Sequence, residues 1–165
     1  MRNKTERFRV LLNQAKGIVD GPLERNEKLQ AICELLHDSV DYYDWVGFYL
    51  VDAPKAELVL GPFAGEPTEH VRIPFGRGIC GQAAERKETF TVQDVSKESN
   101  YLACSPRVQS EIVVPILKDG QVVGELDIDS HVLSPFGRED VELLEGICSL
   151  VSKLFYRVLR QSLNL

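Results

Sequence analysis

Two cysteines of this chain sit among charged or anion-binding groups. Cys80 lies in the run Gly76-Arg77-Gly78-Ile79-Cys80-Gly81, and Cys104 opens Cys104-Ser105-Pro106-Arg107-Val108-Gln109-Ser110-Glu111. A thiol beside ionisable groups is available for redox or nucleophilic work, whereas a thiol on an apolar face only packs. Asp127 and Asp129 follow, two apart in a strand-like run, so their side chains share one face of a sheet. Glu111 begins the preceding strand pattern, and a hairpin would bring it beside them. Three carboxylates in one pocket cannot all ionise cheaply, so at least one is expected to keep a proton near neutral pH. A nucleophile and a proton donor close to one substrate atom are what thiol-based redox or nucleophilic chemistry requires. An exposed acidic face is the competing reading, because the chain carries a net charge of −6.

Helices, then strands, then a last helix must position these groups. Residues 5–18 read as an amphipathic helix through Phe8, Val10, Leu11, Leu12 and Ile18, broken by Gly21-Pro22. A second helix follows with Asn26 as candidate cap and Leu29, Ile32, Cys33, Leu36 and Val40 on one stripe. Strand patterns cover Trp45 to Val51, Glu57 to Leu60, Val71 to Pro74, Thr89 to Val92, Glu111 to Leu117 and Gln121 to Asp129. Asp119-Gly120 is a hairpin turn signal, and the stretch from Gly61 to Pro67 reads as a loop. Gly76-Arg77-Gly78 looks like a strand-to-helix turn into a short helix over 79–86. The polar segment from Asp94 to Ser110 reads as a mobile loop that carries Cys104. Ser134-Pro135 is expected to cap the last helix, whose stripe is Val141, Leu144, Cys148, Val151, Phe155 and Val158. Cys33 and Cys148 fall on apolar stripes and are expected to be structural.

Composition excludes several classes of function. The 165 residues suit one domain spanning 1–165, with a helical segment over about 1–42, sheet and active-site loops over about 45–130, and a last helix over about 135–160. Net charge −6, a pI near 5.1 and no basic stripe argue against nucleic acid as a partner. The apolar runs are strand-sized, so no membrane span is expected, and the charged start of the chain does not resemble a signal peptide. Four cysteines without export signals fit a reducing compartment, hence a cytoplasmic protein. The fold class expected is α+β, a mostly antiparallel central sheet with the N- and C-terminal helices packed on it.

At Trp45-Val46-Gly47-Phe48-Tyr49, Leu60-Gly61-Pro62-Phe63, Val71-Arg72-Ile73-Pro74, Gly76 to Gly81, Ala103-Cys104, Ser110 to Pro115 and Gly124 to Ser130, the chain resembles a GAF domain. More narrowly it resembles the free methionine-(R)-sulfoxide reductases, which are stand-alone GAF proteins. The resemblance implies reduction of free methionine sulfoxide, with Cys104 as nucleophile and Glu111, Asp127 and Asp129 binding and protonating the sulfoxide oxygen. It also implies that Trp45 and Tyr49 wall the substrate methyl group, a favourable aromatic contact. Attack would leave Cys104 as a sulfenic acid, which a nearby thiol converts to a disulfide. Cys80 is the resolving candidate, in a helix first turn where the dipole and Arg77 would favour its thiolate. A thioredoxin-like protein would then reduce the disulfide, and no cofactor is implied.

One departure stands out. Many members carry a third cysteine just before the Val-Arg-Ile-Pro strand, and this chain has His70 there. Resolution would fall to Cys80 or to an external thiol, with His70 a surface residue or an aid to thiolate formation. A metal site from His70, Cys80 and Cys104 is disfavoured, since no close ligand pair is present. A non-catalytic GAF ligand-binding or redox-sensing module remains the alternative, and the terminal helices could mediate a homodimer.

Overall fold

The computed structural model describes residues 3–103 and 105–155. Cys104 and Val158 therefore lie outside the described residues. Two helices come first, α1 (Lys4–Asp20) and α2 (Arg25–Ser39). The strands are β1 (Trp45–Asp52), β2 (Glu57–Ala64), β3 (Arg72–Pro74), β4 (Phe90–Val92), β5 (Ser110–Lys118) and β6 (Gln121–Ser130). The helix α3 (Gly78–Arg86) lies between β3 and β4, and α4 (Arg138–Val151) closes the described chain before a short 3-10 turn. All strands join one six-stranded sheet in the order β3-β2-β1-β6-β5-β4, and every pairing is antiparallel.

Alternation along β1, β5 and β6 divides the sheet into two faces of different character. Val46, Phe48, Ile112, Val114, Ile116, Leu126 and Ile128 point one way and form a core with α1, α2 and α4. Burial of this apolar surface is the main force holding the helical layer down. The odd-numbered residues point the other way, where Trp45, Tyr49 and Val113 pack with Ile79, Cys80, Ala83 and Ala84 of α3. Cys33 and Cys148 belong to the helical side, with their thiols on the carbonyls of Pro62 and Val114, as their apolar stripes predict. Asp140 ties this layer together: it is fully buried and accepts hydrogen bonds from Lys4 Nζ at 2.7 Å, Tyr42 Oη at 2.6 Å and Tyr43 Oη at 2.7 Å.

Several boundaries differ from the sequence expectation. The cap position of α2 is Glu24 rather than Asn26, with no side-chain capping bond. The last helix starts at Arg138 after Gly137, three residues beyond the expected Ser134-Pro135 start; Ser134 instead takes a left-handed φ of 53°. Strand β2 runs through Gly61-Pro62 to Ala64, where a loop was expected. A register shift opposite Gly47 to Tyr49 absorbs the irregularity, and a bulge tolerates a proline that lacks its ladder N–H. The Asp119-Gly120 turn behaves as its sequence requires, with φ of 52° and 78° joining the paired residues Lys118 and Gln121.

Candidate functional site

The acidic residues read from the sequence converge on the sheet face opposite the helical core. Glu111 lies across from Asp129 in the β5–β6 ladder, and Val113 across from Asp127. Trp45 faces Asp129 and Gly47 faces Asp127 in the β1–β6 ladder. All three carboxylates are buried, with relative exposures of 4% for Glu111, 1% for Asp127 and 2% for Asp129, so they do not form a solvated acidic surface. From the other side α3 brings Cys80, whose Sγ lies 3.8 Å from Glu111 Oε2. The Cys80 sulfur and the nearest carboxylate oxygens of Glu111 and Asp127 lie within 4.8 Å of one another. That spacing is within reach of one cation as well as of one shared proton.

Burial sets the protonation of this cluster. It raises Asp129 well above its ordinary range, helped by the neighbouring Asp127 charge, and raises Asp127 too. Asp127 Oδ1 and Asp129 Oδ1 find no hydrogen-bond partner among the described residues. Carboxyl groups so placed hold protons at a pH where an exposed carboxyl would be ionised. Burial likewise raises Cys80 well above the ordinary thiol value, followed by the fields of Asp127, Glu111, Glu125 and Asp129. Arg77 and the helix dipole were expected to favour a Cys80 thiolate; burial of the thiol works against them and favours the neutral form.

Glu125 was not singled out in the sequence, although it continues the alternation of Asp127 and Asp129 by one step. It pairs across from Tyr49 on one side and Pro115 on the other. Its side chain is fully buried, and neither oxygen has a hydrogen-bond partner among the described residues. Burial and the Asp127 charge push its carboxyl well above the ordinary value.

Trp45 and Tyr49 share this face as their spacing requires, with ring centroids 6.4 Å apart. The Trp45 ring also stacks on Phe63 at 5.6 Å. Two glycines cradle the indole. A Cβ on Gly47 would come within 2.2 Å of it, and one on Gly65, whose φ is 123°, within 2.8 Å. The Trp45 Nε1 donates to Glu66 O at 2.9 Å, fixing the ring to the loop after β2.

Around these groups lie two cavities. The smaller, of about 10 Å³, is lined by Tyr49, His70, Cys80, Leu102, Glu111 and Asp127 and has room for roughly one water. The larger, of about 330 Å³, has Trp45 and Asp129 in its wall together with Glu66, Ser105 and Arg107. Leu102 and Ser105, which flank Cys104 in the chain, thus line one cavity each. The segment expected to be a free loop is tied at several points. Asn100 Oδ1 accepts from Gly78 N and its Nδ2 donates to Gly76 O, both at 2.8 Å. His70 Nε2 lies 2.9 Å from Ala103 O, Arg107 pairs with Glu66, and Val108 is buried. No sequence signal marked Asn100; its role depends on a fold that brings it to a turn 22 residues earlier.

Similarity to known proteins agrees with this arrangement. The profile of the GAF domain matches residues 24–154. The chain is 40% identical to GAF domain-containing protein A of Dictyostelium discoideum, over 90% of this chain and 92% of that protein. It is 37% identical to the free methionine-R-sulfoxide reductase of Escherichia coli, over 92% of this chain and 88% of that one. The free methionine-R-sulfoxide reductase of Neisseria meningitidis, solved in complex with its substrate, superposes with a TM-score of 0.88 at 38% identity, covering 94% of this chain and 92% of its own. With the fold, the buried carboxylates and these relatives in agreement, the chain belongs to the GAF-domain free methionine-R-sulfoxide reductase family, a family of oxidoreductases.

Proposed function

We propose that this protein reduces free methionine (R)-sulfoxide to methionine, with Cys104 as the nucleophile. The observation that carries the reading is a set of buried carboxyl groups, Glu111, Asp127 and Asp129, the two aspartates kept protonated by burial, on the same sheet face as Trp45 and Tyr49. A sulfoxide oxygen is a weak leaving group until it is protonated, and a carboxyl kept neutral by burial donates to it at neutral pH. The aromatic pair receives the S-methyl group, orienting the sulfur toward the segment that bears Cys104.

The electron balance follows from thiol chemistry. Attack by the Cys104 thiolate on sulfur, with proton transfer from the carboxyl set to oxygen, yields methionine and a Cys104 sulfenic acid. Cys80 then attacks the sulfenic sulfur; its thiol proton leaves with the hydroxyl as water, and a Cys80–Cys104 disulfide remains. A thioredoxin-like dithiol returns both thiols, itself becoming a disulfide. Cys80 suits the second step because a buried neutral thiol does not compete for the substrate. Glu111, 3.8 Å from the Cys80 sulfur, would relay that proton to the departing hydroxyl. The three thiols among the described residues, Cys33, Cys80 and Cys148, are unpaired, which fits a cytoplasmic protein. No helix among the described residues is long and apolar enough to cross a membrane.

Dithiothreitol-driven turnover of the separated R and S epimers tests the reading. Reduction of R alone, abolished in Cys104→Ser, is expected. No turnover of either epimer by fully reduced protein would overturn it and favour a ligand-binding GAF module.

A further inference from the structure

The reacting end of the site leaves a second question, which is how the enzyme recognises the other end of its substrate. The 330 Å³ cavity is at the lower end of small-molecule pockets, a size suited to one amino acid. Its wall runs from Trp45 and Asp129 outward to Glu66 and Arg107, which come from two separate loops. Those two side chains form an ion pair that joins the loops. Both positions are fixed from behind. Glu66 is anchored through its carbonyl, which accepts from the Trp45 indole at 2.9 Å, so its distance from the methyl-binding ring is set. Arg107 is flanked by buried Val108, and its backbone N–H donates to Ser105 Oγ at 3.3 Å.

Resting on the reductase reading, we infer that Glu66 and Arg107 select a free amino acid, Arg107 binding the α-carboxylate of methionine sulfoxide and Glu66 its α-ammonium. The zwitterion opens their mutual ion pair and replaces one pairing by two. Energetics permit the exchange. The side chains are 72% and 58% exposed, and an exposed ion pair contributes little to stability, so little is lost on opening it. A guanidinium fork matches a carboxylate in two parallel hydrogen bonds and stays charged at every relevant pH. The remaining charged groups of the wall are less suited to the task. Asp44 already accepts from the His131 N–H at 2.7 Å, and Asp129 lies at the reacting end beside Trp45. A peptide-bound residue has neither an ammonium nor a carboxylate to offer, so it would leave the Glu66–Arg107 bridge closed across its path.

The test uses four substrates: free methionine sulfoxide, its N-acetyl derivative, its primary amide and the doubly blocked compound. KM is measured for wild type, Arg107→Gln and Glu66→Gln. In wild type the free amino acid should have the lowest KM. Arg107→Gln should collapse the free-to-amide preference by on the order of tenfold, and Glu66→Gln the free-to-N-acetyl preference by a similar factor. A variant that raises KM for all four compounds in proportion would overturn the inference, since it would be acting on the loops and not on the substrate charges. Unchanged preferences in both variants would also overturn it. If wild-type protein turns over no substrate, the reductase reading fails by itself. Fluorescence of Trp45, the only tryptophan, then decides whether the pair still recognises an amino acid. Free methionine sulfoxide bound more weakly by Arg107→Gln, with the amide unaffected, would support the pair as an amino-acid clamp. Equal binding by both proteins, or no binding, would refute it.

Discussion

The indole of Trp45 lies flat over Gly47, so close that a Cβ at residue 47 would stand 2.2 Å from the ring. The same strand position faces Asp127 across the ladder. Glycine here therefore does two things: it lets the ring lie down on the sheet, and it holds the wall proposed to receive the substrate methyl group beside the carboxylates. Gly47→Ala should leave the fold intact at a cost of about 1–3 kcal/mol in overpacking. The ring would be lifted by about 1 Å, which is expected to lower kcat/KM on the order of 100-fold. Circular dichroism together with epimer-specific kinetics checks this; a well-folded variant with wild-type kcat/KM would show that the ring position is not what orients the substrate.

Cys80 and Cys104 should separate by which half of the cycle they serve. Cys80→Ser is expected to form its first equivalent of methionine at close to the wild-type rate in a single turnover. Steady-state turnover with thioredoxin should fall by roughly tenfold or more, because a Cys104 sulfenic acid has no internal thiol to resolve it. Undiminished recycling by thioredoxin in this variant would assign resolution to an external thiol.

The contrast between legible and illegible parts has a physical basis. Period-two alternation placed Asp127 and Asp129 on one face, and the Asp119-Gly120 turn fixed the hairpin that set Glu111 across from Asp129. The four-residue spacing of Trp45 and Tyr49 was enough to predict a shared face. All of these are local rules, and each held. Thiol ionisation was not local. Arg77 and the α3 dipole argued for a Cys80 thiolate, but what opposes it is first the burial of the thiol and then the carboxyl groups of β5 and β6, more than thirty residues away (Glu111 is separated by 31). The same holds for Asn100 and for the Glu66–Arg107 bridge, whose partners meet only because the sheet and its loops close over one another. Glu125 is the intermediate case. Its alternation was visible in Gly124-Glu125-Leu126, but only burial turns that carboxyl into a proton-holding group.

Glu125 gives the stability of the protein a definite dependence on pH. In the folded chain its carboxyl keeps its proton well above the ordinary value of 4.5, while the unfolded chain releases it near that value. As pH rises past 4.5, the folded state binds more protons than the unfolded one, so stability falls. Glu125→Gln cannot titrate and does not share this fall. The urea midpoint of the variant, relative to wild type, should therefore climb as pH rises above about 5. Asp127 and Asp129 shift in the same direction in both proteins and largely drop out of the comparison. A difference that stays constant over this range would mean that Glu125 ionises as an exposed carboxyl does.

Asn100 offers the sharpest separation between holding the site together and taking part in it. Its amide spans the turn before α3, accepting from Gly78 N and donating to Gly76 O, both at 2.8 Å. Gly76 and Gly78 have φ of 88° and 67°, left-handed conformations that the clamp holds in place. Its own carbonyl accepts from Gln82 Nε2 at 3.0 Å, so the clamp also ties α3 to the segment that leads to Cys104. Asn100→Ala leaves the Gly78 N–H and the Gly76 carbonyl without these partners, and should cost about 1–3 kcal/mol by urea denaturation. Asn100→Asp keeps the acceptor for Gly78 N but loses the donor to Gly76 O, and should fall between alanine and wild type. Amide exchange at Gly78 should quicken in Asn100→Ala and stay slow in Asn100→Asp. If both variants exchange at the wild-type rate, the turn is held by its backbone alone, and Cys80 and the segment before Cys104 are positioned independently of Asn100.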